Sequence, residues 1–291
     1  MNDGTIAYGT NLMDIAIMIE GQNGLNWTRW QDLARIVEAS GYAGLYRSDH
    51  YTNPTPPDID SLELWVSLTW LASHTERIGF GPLVSPISFR QPTMTARMAA
   101  AVDDLSGGRL ILGLGAGWQE REHRNYGWDL LDLAERFDRF EEGLKIIRGL
   151  LKQDTPFGLD GQYYQIQDAV VLPRPQRPGG PPILIGGNGP KRTLPFVARY
   201  ADAWNCVYQP ASKFKELSAR LDELLEEQGR QPADIHRSLM TGVIFGQTET
   251  ELEDKLSQRD QSATELRDRG LLVGTGRELQ AQLARLSEAG V

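Results

Sequence analysis

Apolar residues fall in short runs, separated by stretches with a helical period. Residues 13–19 (MDIAIMI) form one such run, closed by Glu20-Gly21-Gln22-Asn23, and predict a buried strand. Trp30, Leu33, Ala34 and Val37 follow at helical spacing, with Asn26 as N-cap and Gly41 just past the helix end. Residues 43–47 predict a second strand that runs into Ser48-Asp49-His50. A helix is expected from about Asp60, with Asp60 and Glu63 as a capping pair. Residues 77–84 and 109–114 predict the third and fourth strands, on either side of a helix over 92–105 that Gly107-Gly108 stops. The strands start near residues 13, 44, 77 and 109, a step of about 32 residues that suits one strand–helix–strand unit. Near-continuous apolar strands alternating with helices predict a parallel sheet covered on both faces.

After residue 117 the rhythm changes. A polar helix is expected over 133–151, then a turn at Asp160-Gly161-Gln162-Tyr163-Tyr164 into a strand. Residues 172–182 hold five prolines, too many for a helix interior or a central strand. The segment of about 118–181 therefore reads as an insertion in a single domain spanning 1–291. The rhythm resumes with strands at 182–185, 203–206 and 238–245. Helices are expected over 191–200, about 212–228, from about Glu249, and over 277–289. The first strand is not followed by G-x-G-x-x-G, which argues against a doubly wound nucleotide-binding sheet. A (β/α)8 TIM barrel with an insertion after strand 4 fits better. Seven strands are clear. The final strand is expected to be missing from this chain, with Leu271-Leu272-Val273 as a very short alternative.

Lys and Arg total 30 against 39 Asp and Glu, a net charge of −9, and no basic face suited to nucleic acid stands out. The apolar runs are too short to span a membrane. Met1-Asn2-Asp3-Gly4 carries no secretory pattern, and the lone Cys206 suits a reducing, cytoplasmic setting. Four histidines (His50, His74, His123, His236) and one cysteine lack metal-ligand spacing, so no metal is expected.

On a barrel, chemistry belongs to the loops after the strands. The first loop offers Glu20, Gln22 and Asn23, and the second Asp49 and His50. The fourth offers Ala116, Gly117 and Trp118, with Glu122 and His123 one turn on. Asp49-His50 reads either as a proton-handling pair or as a loop cap beside a packed imidazole. Ser48 lacks a nucleophile-elbow context, so hydrolysis is not indicated. Gly186-Gly187-Asn188-Gly189-Pro190 permits close backbone approach. With Pro190 at N1, the amides of Lys191, Arg192 and Thr193 would face an anion; a plain helix start with a flexible turn is the other reading.

Four segments in combination carry a family resemblance: GLYRSDHY (44–51), RIGFGPLVSPISFRQP (77–92), LSGGRLILGLGAGWQEREHRNYG (105–127) and PPILIGGNGPKRTLPFVARYADAWN (181–205). The chain resembles the luciferase-like monooxygenase superfamily, in particular its coenzyme F420-dependent oxidoreductase branch. The resemblance implies a (β/α)8 barrel that binds a flavin or deazaflavin at the strand ends and moves a hydride between coenzyme F420 and a small organic substrate. By position, Asp49 would contact the ring, His50 would handle the proton, and Leu83-Val84 would be a cis peptide behind the ring. Ala116, Gly117, Gly187, Asn188 and Gly189 would cradle the phosphate end, and Glu20, Asn23 and Trp118 would line the substrate pocket. The chain departs from the sugar-phosphate dehydrogenases of that branch at Trp118, where they carry glutamate, and at Pro54, where they carry tryptophan. An FMN-dependent monooxygenase, fed with reduced flavin by a separate reductase, is the alternative. A non-catalytic flavin-binding protein is the alternative from another class. A homodimer is the expected assembly.

Overall fold

The first strand is shorter than its apolar run: Ala16–Ile19 pairs in register with Gly44–Arg47. In this computed structural model, residues 13–291 are described; the leader reading at residues 1–4 lies outside them. Two compact units make up the chain, Asp14–Ile185 and Gly186–Val291.

The first unit runs β1 (Ala16–Ile19), α1 (Trp27–Ala39), β2 (Gly44–Arg47), α2 (Leu64–His74), β3 (Gly79–Pro82), β4 (Ser85–Pro86), α3 (Pro92–Leu105), β5 (Leu112–Gly115), α4 (Glu120–Tyr126), α5 (Leu133–Lys152), β6 (Phe157–Asp160), β7 (Gln165–Ala169) and β8 (Ile183–Gly186). β1, β2 and β3 are parallel, with Ala16 opposite Gly44 and Gly44 opposite Gly79. β4, β5 and β8 form a second parallel run, with Ser85 opposite Leu114 and Leu112 opposite Ile183. A parallel bridge between Phe80 and Leu110 links the two runs. The strand ends that carry Asp49, Leu83 and Gly115 therefore lie at one edge of neighbouring parallel strands.

In the first unit α1 and α3 follow their sequence signals, and α2 departs from its own. The Asn26 side chain caps α1 by accepting from the Arg29 amide, and Trp30, Ala34 and Val37 are the face α1 buries. α3 keeps its Pro92 start and buries a small face of Ala96, Ala99 and Ala100. α2 does not start at Asp60. Glu63 is its N-cap, accepting from the Val66 amide at 2.7 Å, while Asp60 accepts from Asn26 at 3.2 Å. Asp60 is thus drawn to the neighbouring loop, and the capping role falls to the carboxylate next to the apolar helix. Within 118–181, α4 and α5 precede an antiparallel hairpin of β6 and β7. Glu142 of α5 holds the hairpin's turn by accepting from the amides of Gln162, Tyr163 and Tyr164.

The second unit comprises α6 (Thr193–Tyr200), β9 (Ala203–Val207), α7 (Ala211–Glu227), β10 (His236–Met240), β11 (Val243–Phe245), α8 (Glu249–Ser257), α9 (Ala263–Asp268), β12 (Leu272–Gly274) and α10 (Gly276–Glu288). β9 and β10 are parallel, as are β11 and β12. Trp204 stacks on Phe214 at 5.3 Å, and Ile244, Leu252, Leu266 and Val273 form a separate apolar cluster. The single strand expected over 238–245 is two strands. Thr241 donates to the Gly270 carbonyl at 2.6 Å, and the Leu272 amide donates to Gly242 at 3.0 Å, so the chain turns there toward β12. The Leu271-Leu272-Val273 run, the short alternative for an eighth strand, supplies β12 in that small sheet. α9 was not anticipated, although its Ser262/Glu265 capping box is legible in the sequence.

Candidate active site

The loop after β2 is fixed from below. Arg47, fully buried, donates to the Ser67 hydroxyl at 2.8 Å and to the Leu62 carbonyl at 2.7 Å. Burial lowers its pKa, with Asp49 and Glu63 acting against that. Ser48 donates to Gln22 Oε1 and accepts from the Gly21 amide, both at 2.9 Å, which ties the first loop to the second. In the first loop, Glu20 accepts from Gln22 at 3.1 Å, and the Asn23 amide donates to the Glu20 carbonyl. Glu20 and Asn23 thus shape the β1 loop.

Asp49 is 1% exposed. Its carboxylate accepts from Ser85 at 2.7 Å and from both terminal nitrogens of Arg90. Arg90 also donates to Tyr51 at 2.8 Å and to Glu63 at 2.7 Å. Burial opposes the Arg90 charge, but Asp49, Tyr51 and Glu63 together outweigh it and raise the guanidinium's pKa. Burial, and then Asp49, push the Tyr51 phenol upward. The Asp49 carboxylate is therefore engaged within the protein. Its amide has no hydrogen-bond partner among the described residues.

His50 follows directly. Its Nδ1 lies 2.8 Å from Glu122 Oε2, and Glu122 is fully buried. Glu122 is the third residue of α4, and its other oxygen accepts from the amides of Tyr51 and Thr52. Gln119, the residue before α4, brackets Thr52: it accepts from the Thr52 hydroxyl at 2.9 Å and donates to the Thr52 carbonyl at 3.0 Å. His50 Nε2 has no partner among the described residues. Trp118, 57% exposed, meets the imidazole edge-on at 5.6 Å between ring centroids. Beside this pair, Tyr51 packs among Phe89, Tyr126 and Trp128. His123 donates from Nδ1 to the Gln119 carbonyl and accepts at Nε2 from Ser88, each at 2.7 Å; burial lowers its pKa.

The Leu83–Val84 peptide is cis, and Gly117 has φ +88°. A Cβ on Gly115 would come within 2.7 Å of Val84, so Val84 rests on bare backbone. The Gly117 carbonyl accepts from Arg136 at 3.2 Å.

The glycine loop of the second unit differs in detail from its sequence reading. α6 starts at Thr193 with Arg192 as N-cap, so Pro190 is not at N1. The Leu194 amide reaches back to the Gly189 carbonyl at 3.0 Å, which draws residues 190–192 into a wide turn ahead of the helix. The Gly187 amide donates to Asn205 at 3.0 Å, and its carbonyl accepts from Trp204 at 2.8 Å. The Asn188 side chain clamps both backbone polar groups of Val207 and accepts from Cys206 at 3.2 Å. Burial pushes the Cys206 thiol up to about 11. Among the described residues, the amides of Asn188, Gly189, Lys191 and Thr193 have no hydrogen-bond partner. With these unpaired donors and no Cβ at Gly187 or Gly189, the loop fits an anionic group.

Arg90 and Gln119 were missed by sequence reasoning, and Glu122 was noted without a role. All three act across long separations that no local pattern encodes. The one local signal is Glu122's place in the first turn of a short helix after the fourth-strand glycines.

A partly buried imidazole on the loop after β2 thus meets a fully buried carboxylate on α4, the helix that follows β5. The chain matches the luciferase-like monooxygenase family over residues 13–290 and belongs to it. It is 29% identical over 217 residues to an F420-dependent glucose-6-phosphate dehydrogenase of Kineococcus radiotolerans, covering 74% of this chain and 63% of that protein. It is 32% identical over 206 residues to a phthiodiolone/phenolphthiodiolone dimycocerosates ketoreductase of Mycobacterium bovis, covering 69% and 52%. The chain thus spans between about half and two thirds of these relatives' length. A solved F420-dependent secondary alcohol dehydrogenase, bound to an F420–acetone adduct, superposes with a TM-score of 0.81 at 18% identity, covering 96% of this chain and 91% of that one. The fold is that of the luciferase-like (β/α)8 barrel.

Proposed function

We propose that this protein is an oxidoreductase that uses coenzyme F420 to move a hydride to or from a small neutral alcohol or carbonyl compound. The observation that carries the reading is His50: Nδ1 is held by buried Glu122 and Nε2 has no partner among the described residues, which suits an imidazole that takes or gives a proton at a substrate oxygen. F420 dependence in the names of the dehydrogenase relative and the solved neighbour supports the cofactor. When bound, the deazaflavin supplies the hydride chemistry. In the first unit, Leu83 and Val84 would back its ring, the Asp49 amide would meet the ring edge, and Ala116 and Gly117 would give close backbone approach. Taken by itself, the Gly187–Asn188–Gly189 loop of the second unit would bind a phosphate-class anion through its unpaired amides.

Charge placement argues for a neutral substrate. Arg90 is held by Asp49 and Glu63, and Arg121 by Asp58. Arg136 is bonded to the carbonyls of Gly117, Leu130 and Leu131. These guanidinium groups of the loops beside His50 are already paired, and Trp118 offers an apolar edge next to the imidazole. Glu20, Asn23 and Trp118 are assigned to the substrate pocket.

His50→Ala should lower F420-linked turnover of neutral secondary alcohols by about 10²- to 10⁴-fold while cofactor affinity stays near wild type. Unchanged turnover removes His50 from the mechanism, and preferred turnover of glucose 6-phosphate overturns the neutral-substrate reading. The second reading is an FMN-dependent monooxygenase supplied by a separate reductase, which the family description favours. A homodimer is part of the proposal in both readings.

A further inference from the structure

We infer that Glu122 is a positioning residue that fixes the tautomer of His50, leaving the lone pair on Nε2 as the neutral ring's proton acceptor. The assignment starts from donor and acceptor chemistry. An ionised carboxylate only accepts. Glu122 Oε1 takes the amides of Tyr51 and Thr52, and Oε2 lies 2.8 Å from His50 Nδ1. The ring nitrogen facing that oxygen must carry the hydrogen. A neutral imidazole has one N–H, so Nε2 is bare.

Gln119 offers the opposite demand. Its amide nitrogen, a donor, sits 3.5 Å from the same Nδ1 and would call for a lone pair there. Two magnitudes decide between them. The Glu122 contact is short and charge-assisted, a class roughly twice as strong as a neutral bond, whereas 3.5 Å is at the outer limit. The Gln119 amide is also already fixed, its oxygen on the Thr52 hydroxyl and its nitrogen on the Thr52 carbonyl. Gln119 therefore packs beside Nδ1 without setting its protonation.

The arrangement is rigid where it matters. Glu122 is fully buried, and two main-chain amides hold its carboxylate. The His50 carbonyl accepts from Ser61, which fixes the backbone behind the ring. Trp118 lies edge-on against the imidazole, leaving the ring few alternative orientations. When Nε2 takes a proton, the new positive charge sits against an anion already in place, which is the logic of a base oriented by a third group. This use of the pair rests on the proposed role of His50; the tautomer assignment does not.

Glu122→Gln is the discriminating change. Gln keeps the shape, and its oxygen can still accept from Tyr51 and Thr52. Its amide nitrogen then faces Nδ1 as a donor, so His50 must invert to the Nε2–H form. The test is long-range ¹H–¹⁵N correlation spectroscopy of the ¹⁵N-labelled full chain, above the imidazole titration range, with His50 assigned by the signals lost in His50→Ala. The wild type is expected to show His50 as the Nδ1–H tautomer and Glu122→Gln as the Nε2–H tautomer, the other histidine signals unchanged. Turnover of the variant should fall by about 10²- to 10⁴-fold, mainly in kcat rather than KM. An Nε2–H imidazole in the wild type overturns the inference, and this spectrum decides even if the variant fails to fold. An inverted ring with unchanged turnover also overturns it, provided His50→Ala is impaired. If His50→Ala itself turns over normally, the proposed function fails while the tautomer assignment stands.

Discussion

Gly21 shows how closely single residues set the site. A Cβ there would lie 2.4 Å from Arg47 Nη2. Arg47 cannot swing aside without leaving a buried cation short of its bonds to Ser67 and Leu62. Gly21→Ala should therefore cost about 1–3 kcal/mol by overpacking, read as a lower thermal midpoint. An unchanged midpoint would show that Arg47 yields more easily than its burial implies. The same displacement would disturb Ser48, whose hydroxyl accepts from the Gly21 amide, and with it the backbone that presents His50.

At the scale of elements, Asp103 of α3 pins the proline-rich 172–182 segment. One carboxylate oxygen accepts from Arg177 at 3.0 Å and from the Leu110 amide at 3.2 Å. The other is buried without a partner among the described residues. Burial pushes Asp103 up to about 6, with Arg177 and the Leu110 amide pulling the other way and Asp104 adding to the rise. A carboxyl raised above its unfolded value of about 3.9 binds its proton more tightly in the native state. Its contribution to stability is thus fully present below about pH 4 and is lost as pH rises through about 6. Relative to Asp103→Asn, the wild type should lose stability between those limits in denaturant unfolding followed against pH. Parallel pH profiles would contradict the assignment. Much at this scale was legible from sequence: α1 from its Asn26 cap and period, α3 from Pro92 and the Gly107-Gly108 stop, and the parallel strands from their regular spacing. The His50 loop was legible too, as a polar cluster after an apolar run. The Glu122 and Arg90 pairings were not, because 72 and 41 residues separate them from His50 and Asp49. The split of 238–245 was hidden because both halves are apolar and only Thr241-Gly242 marks the break.

For the whole molecule, family membership rests on a match over residues 13–290, and the chain carries a net charge of −9. Among the described residues, no helix is long and apolar enough to cross a membrane. The proposed cofactor therefore depends on local donors: the loop ends around Asp49, Val84 and Gly117 in the first unit and, separately, the unpaired amides of the second. The measurement that tests this most directly is fluorescence titration of the purified chain with coenzyme F420 and, in parallel, with FMN. Saturable binding of F420 with a lower Kd than FMN is the expected result. Tighter binding of FMN, or no association of F420 at all, would contradict it.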